Sequence, residues 1–430
     1  IKLGDDTQAE GAHYTTIKYS NITHNSEDGI HAYYVDNVTV RDNNFVSNAD
    51  DGINMDYYCY RWNISYNIFT SNNYGLRDTL NQYNNITHNT FTGQTNTALF
   101  IDNTDDNTYA YNTITDNVYI NSGSDNNTLK HNIIKDSTNP GISFNNLATL
   151  NQYFINNTIN EHPYHHCYNN DSYKLENAIT EADAPTNYGS VNIYKCNNAN
   201  LTNVTITNHT TNSKYGLYIV YSNGTTVSYS NFSRNYKGIK LGDDETAEGA
   251  HNTTIQHSFI MFNTNEGIRA DETDFVTIYN NTIANNSDDG IELDDGCNYW
   301  DIRENLFFGN VYYGFNDGYS GYNNISLNNF TSNEEGVRIN SGDNSNYFNN
   351  TFAFNNYALD ISNSGATGNS IYLNTFKNST SANAYSNSGD NDFNLSAPIG
   401  GNYWDDYESV TGQACTDGNS DGFCDYRYNI

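Results

Sequence analysis

Residues 43–53 read Asn43-Asn44-Phe45-Val46-Ser47-Asn48-Ala49-Asp50-Asp51-Gly52-Ile53, and this stretch contains the pattern that decides the fold. An Asn, one variable residue, Ile or Phe and two further residues lead to a second Asn, and Gly with an apolar residue follows shortly after. Within two runs of the chain the motif returns every 20–28 residues, mostly every 22–24. Its apolar residue falls at Ile22, Phe45, Phe69, Phe91, Ile114, Ile134, Ile159, Ile206, Phe232, Ile260, Ile283, Phe307, Phe330, Phe352 and Phe376.

The segments between these columns are short and alternate apolar with polar residues, as around Ile86. Such alternation is typical of short strands, and no stretch keeps the apolar spacing of a major helix. A period near 23 residues with several strands per repeat is typical of a parallel β-helix. The sequence therefore predicts an all-β fold of about sixteen coils of 22–24 residues with a short C-terminal tail.

The chain also repeats itself on a larger scale. Residues 1–6 and 9–13 recur as 239–244 and 247–251, at an offset of 238. The same offset relates Cys59 to Cys297 and Trp62 to Trp300. We therefore predict a first β-helix half at 1–160, an irregular insert at 161–203, a duplicated second half at 204–397 and a separate tail at 398–430.

The composition narrows the possible partners. The chain has 18 Lys and Arg against 50 Asp and Glu, a net charge of -32. This charge argues against nucleic acid and anionic membranes as partners, because no basic face is available to neutralise phosphates. No apolar run reaches the 18 or so residues of a membrane span. An aromatic content of 14% argues against disorder.

The second Asn of the motif forms a column of its own. Because Asn tolerates left-handed backbone and its amide can bond to the same residue one coil away, we expect a structural ladder. The column comprises Asn25, Asn48, Asn72, Asn117, Asn235, Asn263, Asn286, Asn310, Asn333 and Asn355.

These coils resemble the right-handed parallel β-helix superfamily that includes pectate lyases and NosD-type proteins. The ending, from Gly401-Asn402-Tyr403-Trp404 to Tyr428-Asn429-Ile430, resembles archaeal NosD-like surface proteins more closely. The resemblance implies a right-handed coil. It does not fix a function, since this fold is shared by lyases, hydrolases, adhesins and structural proteins. The copper delivery associated with NosD is not carried over, because no matching metal motif is found.

Two kinds of acidic segment are candidate calcium sites. The loop Asp417-Gly418-Asn419-Ser420-Asp421 offers oxygen ligands at alternate positions, with Asp425 in place of the usual late Glu. We expect structural calcium on Asp417, Asn419, Asp421 and Asp425, with a simple surface turn as the alternative. Acidic clusters also recur on the coils, and calcium or a solvated, salt-screened face would each explain them. They include Asp5 and Asp6; Asp28; Asp50, Asp51 and Asp56; Asp243 and Asp244; Asp288, Asp289 and Asp294.

The six cysteines form no dense disulfide framework. Cys415 with Cys424, and Cys167 with Cys196, are candidate disulfides. A metal site on His162, His165, His166 and Cys167 is the alternative for the second pair. Cys59 and Cys297 occupy equivalent coils too far apart to bond to each other, so each is expected to be free, buried or paired between chains.

Sequons and exposed tyrosines suggest a surface location. Candidate glycosylation sites are Asn21, Asn37, Asn63, Asn85, Asn203 and Asn324. Rows such as Tyr57-Tyr58, Tyr312-Tyr313 and Tyr319 with Tyr322 would bind sugars, join copies of the chain or pack between coils.

Together these features predict a secreted structural protein of the cell surface that assembles head-to-tail with itself into a filament, sheath or surface layer. Ile1 matches the mid-coil Ile239, so we expect a processed or trimmed chain without an N-terminal cap, open to such stacking. The alternative is a carbohydrate-active β-helix enzyme or polysaccharide-binding adhesin. Stacked coils supply many carboxylate pairs, but no pair stands out from the sequence as catalytic.

Overall fold

The repeated motif forms three parallel β-sheets in each half of the computed structural model, and successive coils supply successive strands. The structure describes residues 1–4, 12–135, 141–181, 189–210, 215–243, 249–396, 399–412, 414 and 416. The chain divides into unit 1, residues 1–169 with 182–194, and unit 2, residues 170–181 with 195–430. In each unit, sheet A contains the strands that begin at or just after the Gly column. Sheets B and C contain the next two strands of the coil.

In unit 1 the regular strands of each sheet pair in parallel, with Phe45 opposite Phe69 for example. Sheet A consists of Lys2–Leu3, Ile30–Ala32, Ile53–Met55, Tyr74–Thr79, Thr97–Asp102, Val118–Ile120 and Ile142–Phe144. Sheet B consists of Thr16–Lys18, Thr39–Arg41, Asn63–Ser65, Asn85–Thr87, Thr108–Ala110, Thr128–Lys130 and Tyr153–Ile155. Sheet C consists of Asn21–Thr23, Asn44–Val46, Ile68–Thr70, Thr90–Thr92, Thr113–Ile114, Ile133–Ile134 and Asn157–Ile159.

Unit 1 becomes irregular near the end of its three sheets. A 3-10 helix at Leu147–Leu150 precedes the last sheet B strand. His162–Tyr168 then turns back and pairs antiparallel with Asn157–Ile159, and Gly189–Tyr194 pairs in parallel with His162–Tyr168.

Unit 2 repeats the three-sheet arrangement. Sheet A consists of Tyr215–Val220, Lys237–Leu241, Ile268–Ala270, Ile291–Leu293, Tyr313–Asp317, Glu335–Ile339, Tyr357–Ile361 and Ala382–Ser386. Sheet B consists of Lys174–Glu176, Asn200–Thr202, Thr226–Ser228, Thr254–Gln256, Thr277–Tyr279, Asp301–Arg303, Asn324–Ser326, Asn346–Phe348 and Ser370–Tyr372. Sheet C consists of Ile179–Glu181, Thr205–Thr207, Asn231–Ser233, Phe259–Met261, Thr282–Ala284, Leu306–Phe308, Asn329–Thr331, Thr351–Ala353, Thr375–Lys377 and Tyr403–Trp404. The α-helix Tyr407–Thr411 follows.

The apolar residue of the motif lies inside the coil in both units. Phe45 and Phe69 stack with ring centroids 4.8 Å apart, and Phe307 and Phe330 with centroids 4.6 Å apart. Trp404 continues the column in the last strand, 4.4 Å from Phe376. Because every coil buries one such side chain against its neighbours, the interior is a stack of rings and aliphatic groups.

The Asn ladder is confirmed in both units. The side-chain Nδ2 and the backbone N of Asn48 both donate to Asn72 Oδ1, at 2.9 and 3.0 Å. Left-handed backbone lies one residue earlier than expected, at Ser47 and Ser71. The prediction for Asn117 is wrong: Asp116 accepts the hydrogen bond from the Gln94 backbone, because the turn after Ile114 is one residue shorter.

The first Asn of the motif forms a second ladder that sequence analysis did not separate. Asn43 donates to Asn67, and Asn67 to Asn89, through side-chain bonds of 3.0 and 3.1 Å. Each Nδ2 also donates to a backbone carbonyl in the preceding coil, as Asn67 does to Val40 at 2.8 Å. These ladders satisfy turn backbone that would otherwise be buried without partners.

The predicted all-β, right-handed parallel β-helix is therefore confirmed. The number of turns is about 15, close to the predicted number of about sixteen. Neither helix in the described part of the chain is long and apolar enough to cross a membrane.

Candidate functional site

Sheet A presents a row of charged and polar side chains on its outer face. In Ile30–Ala32 the two terminal residues are buried and His31 between them is half-buried, so the middle residue of each strand points outward. Strand pairing aligns these middle residues from coil to coil. In unit 1 the row reads Lys2, His31, Asn54, Arg77, Phe100 and Tyr119. In unit 2 it reads Lys240, Arg269, Glu292, Asn316, Arg338 and Asp360.

A carboxylate column lies beside this row, at the residue before several of the glycines. It includes Asp28 and Asp51 in unit 1, and Glu266 and Asp289 in unit 2. The glycines are required by close coil contact: a Cβ on Gly52 would lie 2.6 Å from the Gly75 carbonyl oxygen. Tight stacking therefore holds carboxylates of adjacent coils close together, where unpaired charges repel.

In unit 1 this arrangement forms the Asp cluster, which we define as Asp28, Asp50 and Asp51. One carboxylate oxygen from each lies within 4.8 Å of the others. His31 Nδ1 is 2.5 Å from Asp28 Oδ2, and the Asp51 backbone N donates to Asp28 Oδ1 at 2.9 Å. Arg77 Nε lies 3.2 Å from Asp51 Oδ2 but makes no aligned hydrogen bond to it.

Asp51 is the least satisfied member of the Asp cluster. It is fully buried, and neither carboxylate oxygen accepts a hydrogen bond. Burial raises the pKa of Asp51 to about 8, against the effect of Arg77, and the charges of Asp50 and Asp28 add to the increase. The Arg77 guanidinium therefore offsets the burial of the Asp51 carboxyl group only in part.

The equivalent region of unit 2 forms the Arg cluster, which we define as Arg269 with its carboxylates Glu266, Asp271, Glu292 and Asp294. Arg269 lies 3.5 Å from Glu266 and 3.2 Å from Glu292, and it donates to Asp294. Lys237 donates to Glu266 at 3.1 Å, and Lys240 pairs with Asp271. Here side-chain cations lie among the carboxylates.

The carboxyl groups of unit 2 differ in protonation. Burial raises the pKa of Glu292 to about 7, against the effect of Arg269, and its hydrogen bond to Glu266 adds to the increase. Burial favours a raised pKa for Glu266 as well, but the charge of Lys237 and the hydrogen bonds from its own backbone, Lys237 and Glu292 together outweigh it, so the pKa is lowered. Burial also raises the pKa of Asp289 to about 8, although Tyr313 N and Asn316 Nδ2 donate to it at 3.1 Å each. A protonated carboxyl beside a carboxylate can hold and donate a proton.

Two further carboxyl groups lie inside the coils and were missed from the sequence. Asp78 accepts hydrogen bonds from Tyr109 at 2.7 Å, Asn81 at 2.8 Å and Asn107 at 3.1 Å. Its counterpart Asp317 accepts one from Tyr347 at 2.6 Å and one from Ser320. Burial raises the pKa of Asp78 to about 6, and its hydrogen bonds oppose the increase.

Unit 2 has an apolar patch on the outer face of sheet C, formed by Phe259, Met261, Leu306 and Phe308. Phe259 is 52% exposed and Phe308 41%. Strand register aligns Phe259 with Leu306 across Thr282, and Met261 with Phe308 across Ala284. The patch could have been found in the sequence, because the strands Phe259–Met261 and Leu306–Phe308 each have apolar residues on both sides of the buried core residue.

Several predicted site residues lie outside the described residues: Asp5, Asp6, Asp244, Asp417, Asn419, Asp421, Asp425, Cys415 and Cys424. Asp243 is described and partly buried. The calcium and disulfide assignments at the other positions remain predictions.

The described cysteines fall into two pairs. Cys167 and Cys196 are both buried and disulfide-bonded. Cys59 and Cys297 are free and fully buried. Burial raises the pKa of the Cys59 thiol to about 12, so it stays neutral and unreactive. Full burial leaves these thiols no access to a neighbouring chain.

The histidines near Cys167 do not converge on a metal. His166 is buried, with Nε2 3.0 Å from the Leu150 carbonyl oxygen, and burial lowers its pKa to about 4. His165 and His166 are adjacent in a strand and point to opposite faces. Within the described ranges, the Asp cluster is the group of three side chains arranged to hold a metal ion.

The predicted glycosylation sites are accessible. Asn21, Asn63, Asn85, Asn203 and Asn324 are exposed, and Asn37 is half-buried. Their modification remains a prediction.

Many exposed aromatic rings stack on the equivalent ring of the next coil. Tyr58 stacks on Tyr34 at 5.3 Å, and Tyr322 on Tyr299 at 5.3 Å. In the row of Tyr66, His88, Tyr111 and His131, successive centroids are 4.7, 5.0 and 4.8 Å apart. The inner rings have both faces covered, so these rows pack adjacent coils together and expose ring edges.

Fold and surface thus define a right-handed parallel β-helix with charged clusters on one sheet and an apolar patch on another. A model of the right handed beta helix region matches residues 7–159 and 149–307, which is more than half of the chain. The chain therefore belongs to the right-handed β-helix family. The model described as periplasmic copper-binding protein (NosD) matches residues 246–409. Comparison with curated proteins gives no match.

The residues of the NosD-like segment do not fit a copper site where the structure describes them. Copper favours His, Cys and Met ligands. His251 accepts a hydrogen bond from the Asp274 backbone, His257 lies against Asn280, and Cys297 is buried without a second soft ligand in its recorded contacts. The carboxylates of the Asp cluster are hard ligands.

Several solved structures are similar over most of the chain. The mannuronan C-5 epimerase AlgE4 A-module of Azotobacter vinelandii is 11% identical, with 88% of this chain and 90% of that chain covered and a TM-score of 0.37. PfbA, a surface adhesin of Streptococcus pneumoniae, is 12% identical, with 76% and 85% covered and a TM-score of 0.28. The Dettilon tailspike protein is 13% identical, with 72% and 63% covered and a TM-score of 0.37. Such low values indicate nothing about the activity of this chain.

Proposed function

We propose that this chain is a structural protein of the cell surface whose copies associate into a filament, sheath or surface layer. The apolar patch of Phe259, Met261, Leu306 and Phe308 supports this proposal. Large apolar side chains grouped on an exposed sheet face are typical of surfaces that another protein covers. The occupant is a second copy of this chain.

Comparison with the equivalent residues of unit 1 indicates that the fold does not require the apolar patch. At the offset of 238, Phe259, Met261, Leu306 and Phe308 correspond to Asn21, Thr23, Ile68 and Thr70. Sheet C of unit 1 forms with mostly polar residues at these outer positions, so the β-helix does not need apolar side chains at them. Two copies that meet through the same patch would bury it symmetrically.

This contact is lateral, whereas the contact predicted from the sequence is head-to-tail. Head-to-tail stacking would give single filaments, and the apolar patch would join them side by side into a sheath or layer. Structural calcium in the segment 417–425, glycans on the exposed sequons and a location outside the cytoplasm belong to the same proposal. The match to a family described as periplasmic supports that location.

The proposal is tested by replacing patch residues with their unit 1 equivalents. Phe259→Asn with Phe308→Thr should convert the associated form into smaller species by sedimentation velocity and remove side-by-side order in electron micrographs. The matched control is Ile68→Asn, which removes an exposed apolar residue (47% exposed) from the same sheet of unit 1. A wild-type chain that stays monomeric at all concentrations would contradict the proposal.

A carbohydrate-active enzyme or adhesin is a second candidate, supported by the contact between Glu292 and Glu266. Protonated Glu292 would donate a proton to a glycosidic oxygen, and Arg269 would orient the substrate beside it. A neutral polysaccharide suits the charge of -32 better than a polyuronate. Release of reducing ends from neutral polysaccharides, lost in Glu292→Gln, would establish this function, and no turnover by the wild type would rule out hydrolysis.

A further inference from the structure

The Asp cluster and the Arg cluster occupy equivalent positions in the duplicated chain. At the offset of 238, Asp28 corresponds to Glu266, Asp50 to Asp288 and Asp51 to Asp289. His31 corresponds to Arg269, and Asn54 to Glu292. The acidic column is therefore kept in both units, while the central residue of the row changes from histidine to arginine.

In unit 2 the guanidinium of Arg269 supplies positive charge to several carboxylates at once. It lies within 3.7 Å of Glu266, Asp271, Glu292 and Asp294. Lys237 and Lys240 add further charge on two of these carboxylates. The Arg cluster thus contains its own cations and needs no external ion.

In unit 1 the shorter imidazole of His31 reaches Asp28 at 2.5 Å, and its Nε2 lies 3.7 Å from Asp56. Arg77 approaches Asp51 from the next coil, while its guanidinium carbon lies 4.4 Å from the centre of the Tyr74 ring. Among the described residues, neither His31 nor Arg77 contacts all three carboxylates of the Asp cluster.

Two buried side chains of this region have oxygen atoms that accept no hydrogen bond. Both carboxylate oxygens of Asp51 lack a hydrogen bond, and the side chain is fully buried. Asn54 is only 7% exposed, and its Oδ1 also lacks a donor while its Nδ2 faces Asp28 Oδ2 at 3.4 Å. Buried acceptors of this kind are expected to have a partner, and a metal ion is one.

We propose that Asp28, Asp50, Asp51 and Asn54 bind a hard divalent cation, with calcium as the ion, beside His31, the residue equivalent to Arg269 of unit 2. Calcium takes carboxylate and amide oxygens at about 2.3–2.6 Å, so ligand atoms on opposite sides of the ion are up to about 5 Å apart. The separation of at most 4.8 Å among the three carboxylate oxygens matches this requirement. The site is separate from the segment 417–425, and it does not depend on self-association.

Calcium titration calorimetry of the full chain tests the proposal through the number of bound ions. Asp51→Asn should bind one calcium fewer than the wild type, since it removes a ligand charge. The matched control Asp289→Asn changes the unit 2 residue equivalent to Asp51 and should bind as many ions as the wild type. Any calcium bound by the segment 417–425 is bound equally by the wild type and both variants, so it does not affect the difference in the number of bound ions.

His31→Arg provides a second, independent variant that supplies the proposed missing cation. This variant should also bind one calcium ion fewer than the wild type. In EDTA its melting temperature should equal or exceed that of the wild type. Equal calcium stoichiometry in the wild type, Asp51→Asn and His31→Arg would overturn the proposal, as would equal losses in Asp51→Asn and Asp289→Asn.

Discussion

Unit 1 and unit 2 use the same acidic column on sheet A but neutralise it differently. In unit 2, Arg269 and Lys237 lie among the carboxylates, and Asp289 accepts two hydrogen bonds. In unit 1, His31 takes the place of the arginine, and Asp51 accepts none. Coil stacking brings carboxylates of adjacent coils close together wherever acidic residues precede the glycines, so their charges repel. In unit 2, side-chain cations neutralise these carboxylates, and we propose that calcium neutralises them in unit 1.

The largest effect is expected from removing the internal cation. Arg269→Met leaves Glu266 and Asp271 buried with less compensating charge, and it should destabilise unit 2 by about 3 kcal/mol in EDTA. Calcium should restore part of this loss, because the variant then resembles the Asp cluster. Denaturant titration followed by circular dichroism measures both values. Arg303→Met, whose partners Asp301 and Glu304 are exposed, is the control and should change stability by less than about 0.5 kcal/mol.

The buried Asp–Tyr pairs should also differ between the units. Tyr347→Phe removes the 2.6 Å hydrogen bond to Asp317, leaves the hydrogen bond from Ser320 and should cost about 2 kcal/mol. Tyr109→Phe leaves Asp78 with Asn81 and Asn107 and should cost about 1 kcal/mol. Thermal denaturation of the two variants compares these values, and an equal loss would show that the number of remaining donors is unimportant.

Stability should depend on pH through carboxyl groups of unit 2, in addition to Asp51 of unit 1, whose folded-state pKa is also raised to about 8. The folded-state pKa is raised to about 8 for Asp289 and to about 7 for Glu292 and Glu335. The folded chain therefore binds more protons than the unfolded chain between their ordinary pKa values and pH 8, and stability is lost as pH rises through 7 to 8. The melting temperature should increase by about 2–4 °C from pH 8 to pH 6. Asp289→Asn should reduce this slope, and an unchanged slope would assign it to other groups.

The smallest effect on stability is expected at the exposed apolar positions. Phe308→Thr and Ile68→Asn should each change the free energy of unfolding by less than about 0.5 kcal/mol, because both residues lie at the surface, 41% and 47% exposed. Only Phe308→Thr should weaken association in sedimentation experiments. Equal weakening by both variants would mean that the apolar patch of unit 2 is not a specific contact.

The sequence period was sufficient to predict the fold and most of the Asn ladder, because equivalent residues of successive coils have the same surroundings. The short turn after Ile114 displaced the ladder from Asn117 to Asp116, which a regular period does not reveal. The inward position of Asp78 follows from strand alternation with Leu76, although an aspartate is not expected in the interior. The site was harder to predict: the acidic clusters were visible, but the contrast between His31 and Arg269 has meaning only when neighbouring coils are brought together.

Amide hydrogen exchange of the full chain with and without calcium tests the contrast between the units most directly. Exchange is read in peptides that cover residues 25–57, around the Asp cluster, and residues 263–295, around the Arg cluster. The account predicts that calcium slows exchange in the first segment and leaves the second unchanged. Equal protection of both segments, or no protection of the first while calcium binds elsewhere in the chain, would contradict it.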